Sequence, residues 1–337
     1  MIGNHAKHII FLQAAHTSDD DRVLYHQAQT LRDAGHVVEV YGMESFHDFV
    51  PKSVDIYIVD TPKALWKIRR LPVRVIYDIT EWYPSKKNLR NVRFGKCVKA
   101  VILVLANLWA ACRASAFIFG EEQKAMPFRW LFPRKKYIYL PYYPSLSYIQ
   151  PMPVRDISSC CRVLYAGALT EEKGWFNVLD TMRQIADRMP QRQFQLDVIT
   201  KDSWTDVVCP RNLQIRKHDF MSFEKFCQQI TGYDLYFDLR KIDFENTRCL
   251  PIKLFYYMAC GRPSIYSNLS AIPLGVPEIN QCAMLVNNTA ESVAALEKYL
   301  QDNVYYQQHC EKALLLSQKK YNWEAIQALF LQLISEL

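Results

Sequence analysis

Lys173 and Gly174, in the stretch "GALTEEKGWFNVLDTM", stand where a small-residue turn gives way to an amphipathic helix. A lysine there offers a cation beside backbone N–H groups that the helix leaves unsatisfied, at the positive end of its dipole. That combination suits an anion, phosphate above all. Taken alone, it reads as a solvated lysine at a helix start. A second stretch, "CLPIKLFYYMACGRPSIY", has the punctuation of a short helix, with Pro251 at its start and Gly261 at its stop. It carries Tyr256 and Tyr257 side by side. Adjacent helical positions lie ~100° apart, so both rings cannot enter one core; at least one is expected toward a groove, solvent or ligand.

Several familiar chemistries lack their residues. No G-x-G-x-x-G follows the first strand, where "LQAAHTSDDDR" stands, and no Walker loop, G-x-S-x-G elbow or H-E-x-x-H occurs. The eight histidines have no metal-ligand spacing, and His5, His8 and His16 read as surface or strand-edge residues. No protein-bound metal or other cofactor is expected. Ten cysteines make no C-x-x-C, and the adjacent Cys160 and Cys161 cannot form an ordinary unstrained bridge. Reduced thiols in a cytoplasmic protein are expected. The opening "MIGNHAKHIIFLQAAHTSDDDR" is too briefly apolar and too acidic for a signal peptide.

A chain of 337 residues, half of them hydrophobic, can bury more than one sizeable core, and two domains are expected. Charge divides unevenly between them. Residues 1–150 hold 21 Lys+Arg against 13 Asp+Glu, a balance of +8, and the rest hold 20 against 21, a balance of −1. Six cations from Lys86 to Lys99 precede thirteen uncharged residues, Ala100 to Cys112. That run is short of the ~20 apolar residues that span a bilayer. A buried helix with a basic entry and a helix lying on an anionic membrane surface both fit it. Nucleic acid is not expected as a partner, because the aromatic residues fall in strands and helices that need them for packing.

Strands and helices alternate twice along the chain. "HIIFLQ" reads as a buried strand, followed by a helix over "RVLYHQAQTLRDAG" that ends at Gly35 and leads into a second strand. "VDIYIVD", "VRVIYDI", "SAFIFG" and "YIYLPYY" continue the strand series, as a parallel sheet covered on both faces requires. The proline-rich segment 146–158 is the expected linker. A second series opens with "CRVLYAGALTEEKGWF", and "FQLDVIT", "LQIRKHDF", "DLYFDL", "RPSIYS" and "CAMLVN" supply its further strands. The fold class is therefore α/β: two doubly wound, Rossmann-like domains, 1–145 and 159–320, expected to face each other across a cleft lined by loops at the strand carboxyl ends.

These loops resemble those of the retaining nucleotide-sugar-dependent glycosyltransferases of family 4 (glycosyl transferases group 1), which have the GT-B fold. The resemblance covers nearly the whole chain. "VLYAGALTEEKGWFNVLDTM" looks like the family's strand, loop and Lys-Gly helix start, and "LPIKLFYYMACGRPSIYS" is similar to its Pro-x-Lys-leading helix with Met-Ala-x-Gly-x-Pro. "DDDRVLYHQAQTLRDAGHVVEVYG" resembles the opening unit, "YDITEWYP" a strand-end motif that often reads Asp-x-His-Glu, and "YNWEAIQALFLQLISEL" the closing helix (321–337) that crosses back to the first domain.

The resemblance implies a sugar-nucleotide donor bound by the second domain through Gly167, Lys173, Gly174, Glu245, Arg248, Lys253 and Tyr256. Lys173 would neutralise the diphosphate as the glycosidic bond breaks. The family's loop arginine has Ala168 in its place here, leaving Arg240, Lys241 or Arg248 to supply a second cation. Tyr256 stands where a Glu usually holds the ribose hydroxyls, and Arg248 where the first Glu of that pair belongs. A phenol cannot chelate two hydroxyls as a carboxylate does. On the acceptor side, Asp78 and Glu81 are the carboxylates expected to orient the incoming hydroxyl, with Thr80 in place of the family's His and Arg22 facing the cleft. The expected function is sugar transfer to a glycan or lipid-linked acceptor in cell-surface polysaccharide or glycolipid synthesis, at the inner face of an anionic membrane. Two other readings stand beside it: a catalytically degenerate relative acting as a binding or partner subunit, and a basic nucleic-acid- or membrane-binding protein with a borrowed fold.

Overall fold

The apolar runs form strands that are buried along nearly their whole length instead of alternately. Strand β1 (His8–Leu12) is fully buried from Ile9 to Leu12, and β3 (Ile56–Val59) and β5 (Ala116–Phe119) are buried throughout. Helices must therefore cover both faces of their sheet. With β2 (Val37–Tyr41), β4 (Arg74–Ile79) and β6 (Lys136–Tyr139) they make an all-parallel sheet in the order β2-β1-β3-β4-β5-β6. Strands β7 (Cys160–Ala166), β8 (Gln193–Thr200), β9 (Leu213–Asp219), β10 (Leu235–Asp238), β11 (Ser264–Ser267) and β12 (Ala283–Val286) make a second, ordered β12-β11-β10-β7-β8-β9 and also parallel. The winding direction reverses between β1 and β3 in one sheet and between β7 and β10 in the other. Such reversals open a crevice at the strand carboxyl ends, where ligands of open parallel sheets bind.

The computed structural model describes residues 5–80, 89, 95–204 and 207–337; Glu81 lies outside the described residues. The chain divides into two units, Met1–Tyr142 with Ile326–Leu337, and Tyr143–Ala325. The proline-rich segment 146–158 is part of the second unit. Ile149 and Ile157 are buried in its cores, Arg262 donates to the carbonyls of Met152 and Pro153 (2.9 and 2.7 Å), and Arg155 forks onto Asp234. The residues that pin it lie some 80–110 positions away, so its own composition could not show the packing.

The helix after β1 winds unlike the rest. Arg22–Ala28 is π-helical and passes into α1 (Gln29–Asp33). Its i→i+5 bonding brings residues five apart onto one face, whereas 3.6-residue winding would set them about 140° apart. Helices α2 (Pro62–Lys67), α3 (Lys96–Arg113) and α4 (Glu122–Leu131) follow β3, β4 and β5. No helix among the described residues is long and apolar enough to cross a membrane.

In the second unit, α5 (Trp175–Arg188) buries Trp175, Val178, Leu179, Met182, Ile185 and Ala186, the 3–4 spacing of one helix face. Helices α6 (Phe223–Ile230), α7 (Ile252–Ala259), α8 (Ala271–Gly275), α9 (Thr289–Gln301) and α10 (Asn303–Lys319) complete it, and α11 (Trp323–Ser335) contributes its residues from Ile326 to the first unit. All ten cysteines are free thiols.

One buried residue of α10 makes stability depend on pH. His309 packs against the Tyr305 ring and takes a 2.8 Å hydrogen bond with the Tyr299 hydroxyl, and burial pushes its pKa down to about 4. The unfolded chain protonates this ring near the ordinary 6.5. Its neutral form therefore contributes fully above about pH 6.5, and stability is lost, by at most about 1.4 kcal/mol per pH unit, as pH falls toward 4. Urea midpoints at neutral and mildly acidic pH are expected to fall further apart in the native protein than in His309→Gln.

Candidate active site

The second unit gathers its polar residues at the reversal between β7 and β10. After β7 the chain turns through Gly167–Glu172 into α5, whose cap is Gly174 at φ +78°. A Cβ on Gly174 would stand 1.8 Å from the Leu239 carbonyl oxygen, so only glycine lets the β7 and β10 loops approach this closely. Hydrogen bonds then tie the rim together. The Tyr165 hydroxyl donates to the carbonyl of Ala168 (2.6 Å) and lies 3.2 Å from that of Lys173; Leu169 N–H donates to Asp202 (2.5 Å); Lys241 N–H donates to the Glu172 carbonyl (3.0 Å); and Ser267 donates to the Arg240 carbonyl (2.6 Å). Four strand ends are thus held in one fixed arrangement, which an anion can meet without reordering the loops.

The cations on this rim differ in freedom. Lys173 is half-exposed, with Glu172 at 3.3 Å as its ion partner, a weak surface contact that an incoming anion displaces at little cost. Arg240 is nearly buried and forks onto Asp238. Burial alone would raise the Asp238 pKa; the Arg240 guanidinium, with Lys253 and Lys173 beyond it, outweighs that and holds the carboxyl below its ordinary value. Lys241 pairs with Glu171 at 3.0 Å, and Arg248 donates to the Phe244 carbonyl (3.0 Å) while its guanidinium lies 3.7 Å over the Phe244 ring. Lys253, in the first turn of α7, donates to the Ala166 carbonyl at the end of β7, and burial lowers its pKa. It fastens α7 to the rim. Glu245 caps a 3₁₀ turn, Asn246–Arg248, on the β10–α7 connection.

The two adjacent tyrosines are both packed. Tyr257 is fully buried and stacked on Tyr236, ring centroids 4.0 Å apart and 3° from parallel. Tyr256 is 4% exposed and meets the edges of Phe223 and Phe226 at 6.2 Å each, rings carried by α6. The helix has aromatic neighbours on both of these sides, so each ring finds its own apolar contact and Tyr256 presents almost no surface to a ribose.

In the first unit, the π-helical winding brings Arg22 and Gln27 to the same carboxylate. Arg22 Nη1 lies 2.6 Å from Asp78 Oδ2 and Gln27 Nε2 donates to that oxygen at 3.4 Å, with both charged side chains more than nine-tenths buried. The Arg22 guanidinium covers the Tyr142 ring at 4.6 Å. Tyr142 in turn lies on Gly120, where a Cβ would meet the ring at 2.5 Å. The Arg22–Asp78 contact is an ion pair without good hydrogen-bond alignment, and Arg22 Nε, Asp78 Oδ1, Gln27 Oε1 and Gln13 Oε1 are buried with no hydrogen-bond partner among the described residues. Buried polar atoms are rarely left so, which marks this cluster as a place for water or a polar ligand. Thr80, just past β4, gives its carbonyl to Lys124 (2.6 Å), and Asp60, after β3, accepts from the N–H groups of Ala14 and Ala15 at 2.9 Å each.

Asp238, Tyr165 and Asp202 of the second unit and Gln27 and Tyr142 of the first were not singled out by the sequence. For Asp238 a signal was present, since Asp-Leu-Arg at the end of a strand puts the acid and base on one face.

No protein-family model and no curated protein sequence matches the chain. Solved structures do match. Sucrose-phosphate synthase from Thermosynechococcus elongatus is similar over 98% of both chains at 13% identity, with a TM-score of 0.67. Anabaena HepE, solved in complex with UDP-glucose, is similar over 98% of this chain and 100% of its own at 15% identity, TM-score 0.66. A glycosyltransferase from Rickettsia africae is similar over 99% and 98% at 11% identity, TM-score 0.65. With two parallel six-stranded sheets of this topology and alignment over nearly its full length, the chain has the GT-B glycosyltransferase fold.

Proposed function

We propose that the protein is a retaining glycosyltransferase that moves a sugar from a nucleotide-sugar donor to a glycan or lipid-linked acceptor, in cell-surface polysaccharide or glycolipid synthesis. The observation that carries the reading is Lys173 at the dipole end of α5, displaceable from Glu172, on a rim whose loops are already fixed to one another. A diphosphate seated there gains charge as the glycosidic bond breaks, and Lys173 with the first turn of α5 offsets it. Glu245 is the carboxylate assigned to hydroxyls of the ribose or sugar. The open valences around Arg22, Asp78 and Gln27 suit the hydroxyls of an acceptor. In retaining transfer the departing phosphate assists the incoming hydroxyl, so these side chains orient and need not act as a base. The reading requires no metal. That HepE holds UDP-glucose supports a uridine donor.

One observation favours a second reading, a non-catalytic relative that keeps the fold as a binding subunit. Each candidate for the second cation has an intramolecular partner: Arg240 has Asp238, Lys241 has Glu171 and Arg248 has Phe244. Release of nucleoside diphosphate from UDP-, GDP- and ADP-sugars separates the two. One donor is expected to turn over, with a rate about a hundredfold lower in Lys173→Ala. No release from any donor by the folded protein favours the binding subunit.

A further inference from the structure

Helix α3 turns its larger apolar side chains outward. Its packed face is small and partly polar: Ala110 and Ala111 are buried, and Asn107 takes the Tyr77 hydroxyl at 2.6 Å. On the opposite face Val98, Val101, Ile102 and Leu105 are 63, 57, 58 and 59% exposed. Their i, i+3, i+4, i+7 spacing makes one stripe over the first turns of the helix. An amphipathic helix of a water-facing surface has the reverse arrangement. Trp66 of α2, half-exposed, extends the patch, touching Trp109 of α3 at 5.2 Å and carrying the Arg69 guanidinium 4.3 Å over its ring.

Along the helix and its flanking sequence the exposed charge has one sign. Helix α3 contains no acid; Lys96 and Lys99 stand at its start and Arg113 at its end. The sequence has no Asp or Glu between Glu81 and Glu121, and between Asp60 and Glu81 only Asp78, which is buried against Arg22. An apolar stripe with a cationic border and no acids complements a surface of acyl chains beneath anionic headgroups. A protein partner covering the same patch would have to bring a matching acidic rim. No helix among the described residues is long and apolar enough to cross a bilayer, so α3 would lie in the interface plane.

We propose that α3, with Trp66 beside it, is a monotopic docking surface for an anionic lipid bilayer, in which Val98, Val101, Ile102 and Leu105 enter the acyl boundary and Lys96 and Lys99 meet the headgroups. The proposal goes beyond sugar transfer and stands without it, because lipid binding is read with no donor present. The test is flotation of the full chain with vesicles of phosphatidylcholine alone, or mixed with phosphatidylglycerol, at low and high salt. The native protein is expected to float with the mixed vesicles and to do so less at high salt. Ile102→Ser with Leu105→Ser, both exposed and so compatible with the fold, should lower partitioning about tenfold or more. Lys96→Gln with Lys99→Gln should lower it severalfold and remove most of the salt dependence. Unchanged circular dichroism would show both variants folded. No flotation of the native protein at low salt, or serine and native proteins floating alike, would overturn the proposal. So would a native dimer in sedimentation that the serine variant abolishes, since the stripe would then belong to a second copy.

Discussion

Gly174→Ala is expected to cost about 3 kcal/mol or more of stability and to abolish nucleotide binding. Two effects add at this position. The φ of +78° is a conformation in which an L side chain costs ~1 kcal/mol. The new Cβ would also stand 1.8 Å from the Leu239 carbonyl oxygen, and backbone cannot swing aside as a side-chain tip can. The β7 and β10 loops must separate, taking the Lys241–Glu172 backbone hydrogen bond with them. Gly35 supplies the control. It has φ +86° with nothing near its Cβ position, so Gly35→Ala is expected to lose only about 1 kcal/mol and to leave nucleotide binding unchanged. Denaturant midpoints of the two variants measure the difference; equal losses would mean that the close approach of the two loops has no energetic weight.

Arg22→Met is expected to destabilise the first unit by about 3–5 kcal/mol, because among the described residues it leaves Asp78 buried with only the 3.4 Å contact from Gln27. Removing both charges, as Arg22→Met with Asp78→Asn, should restore most of that loss, since a buried ion pair replaced by neutral groups is often near neutral in stability. Sugar transfer should stay low in the double variant. That split separates a pair kept for the acceptor from one kept for the fold: recovery of transfer together with stability would assign the pair to packing alone. Urea denaturation and turnover of the same two preparations give both readings.

Much of this architecture was legible in the sequence because it rests on local pattern. Continuous apolar runs such as "HIIFL" and "AFIF" are strands buried on both faces, and Gly35, Gly174 and Gly261 end or begin helices at positive φ as their positions suggested. The candidate site was legible only in part. Lys173 and Gly174 fall on the rim because a strand–loop–helix unit places them there whatever the rest of the chain does. Tyr256 did not follow its position in the resembling motif. Its ring is held by Phe223 and Phe226, some thirty residues earlier, and no periodicity within α7 records them. The joint reach of Arg22 and Gln27 to Asp78 was hidden for a different reason: it depends on π winding, whereas a reading by 3.6-residue turns puts those side chains on different faces. The outward apolar stripe of α3 was visible as an apolar run, but which of its sides packs is a tertiary fact, decided by Asn107, Ala110 and Ala111.

The proposed donor site at Lys173 is expected to take a nucleoside diphosphate. Calorimetric titration of the native protein with UDP, GDP, ADP and CMP, repeated with Lys173→Ala, measures this directly. Saturable binding of one of the diphosphates, UDP first among them, weakened about tenfold or more in Lys173→Ala, is the predicted result. Silence from all four nucleotides in folded protein, or binding that Lys173→Ala leaves untouched, would contradict it.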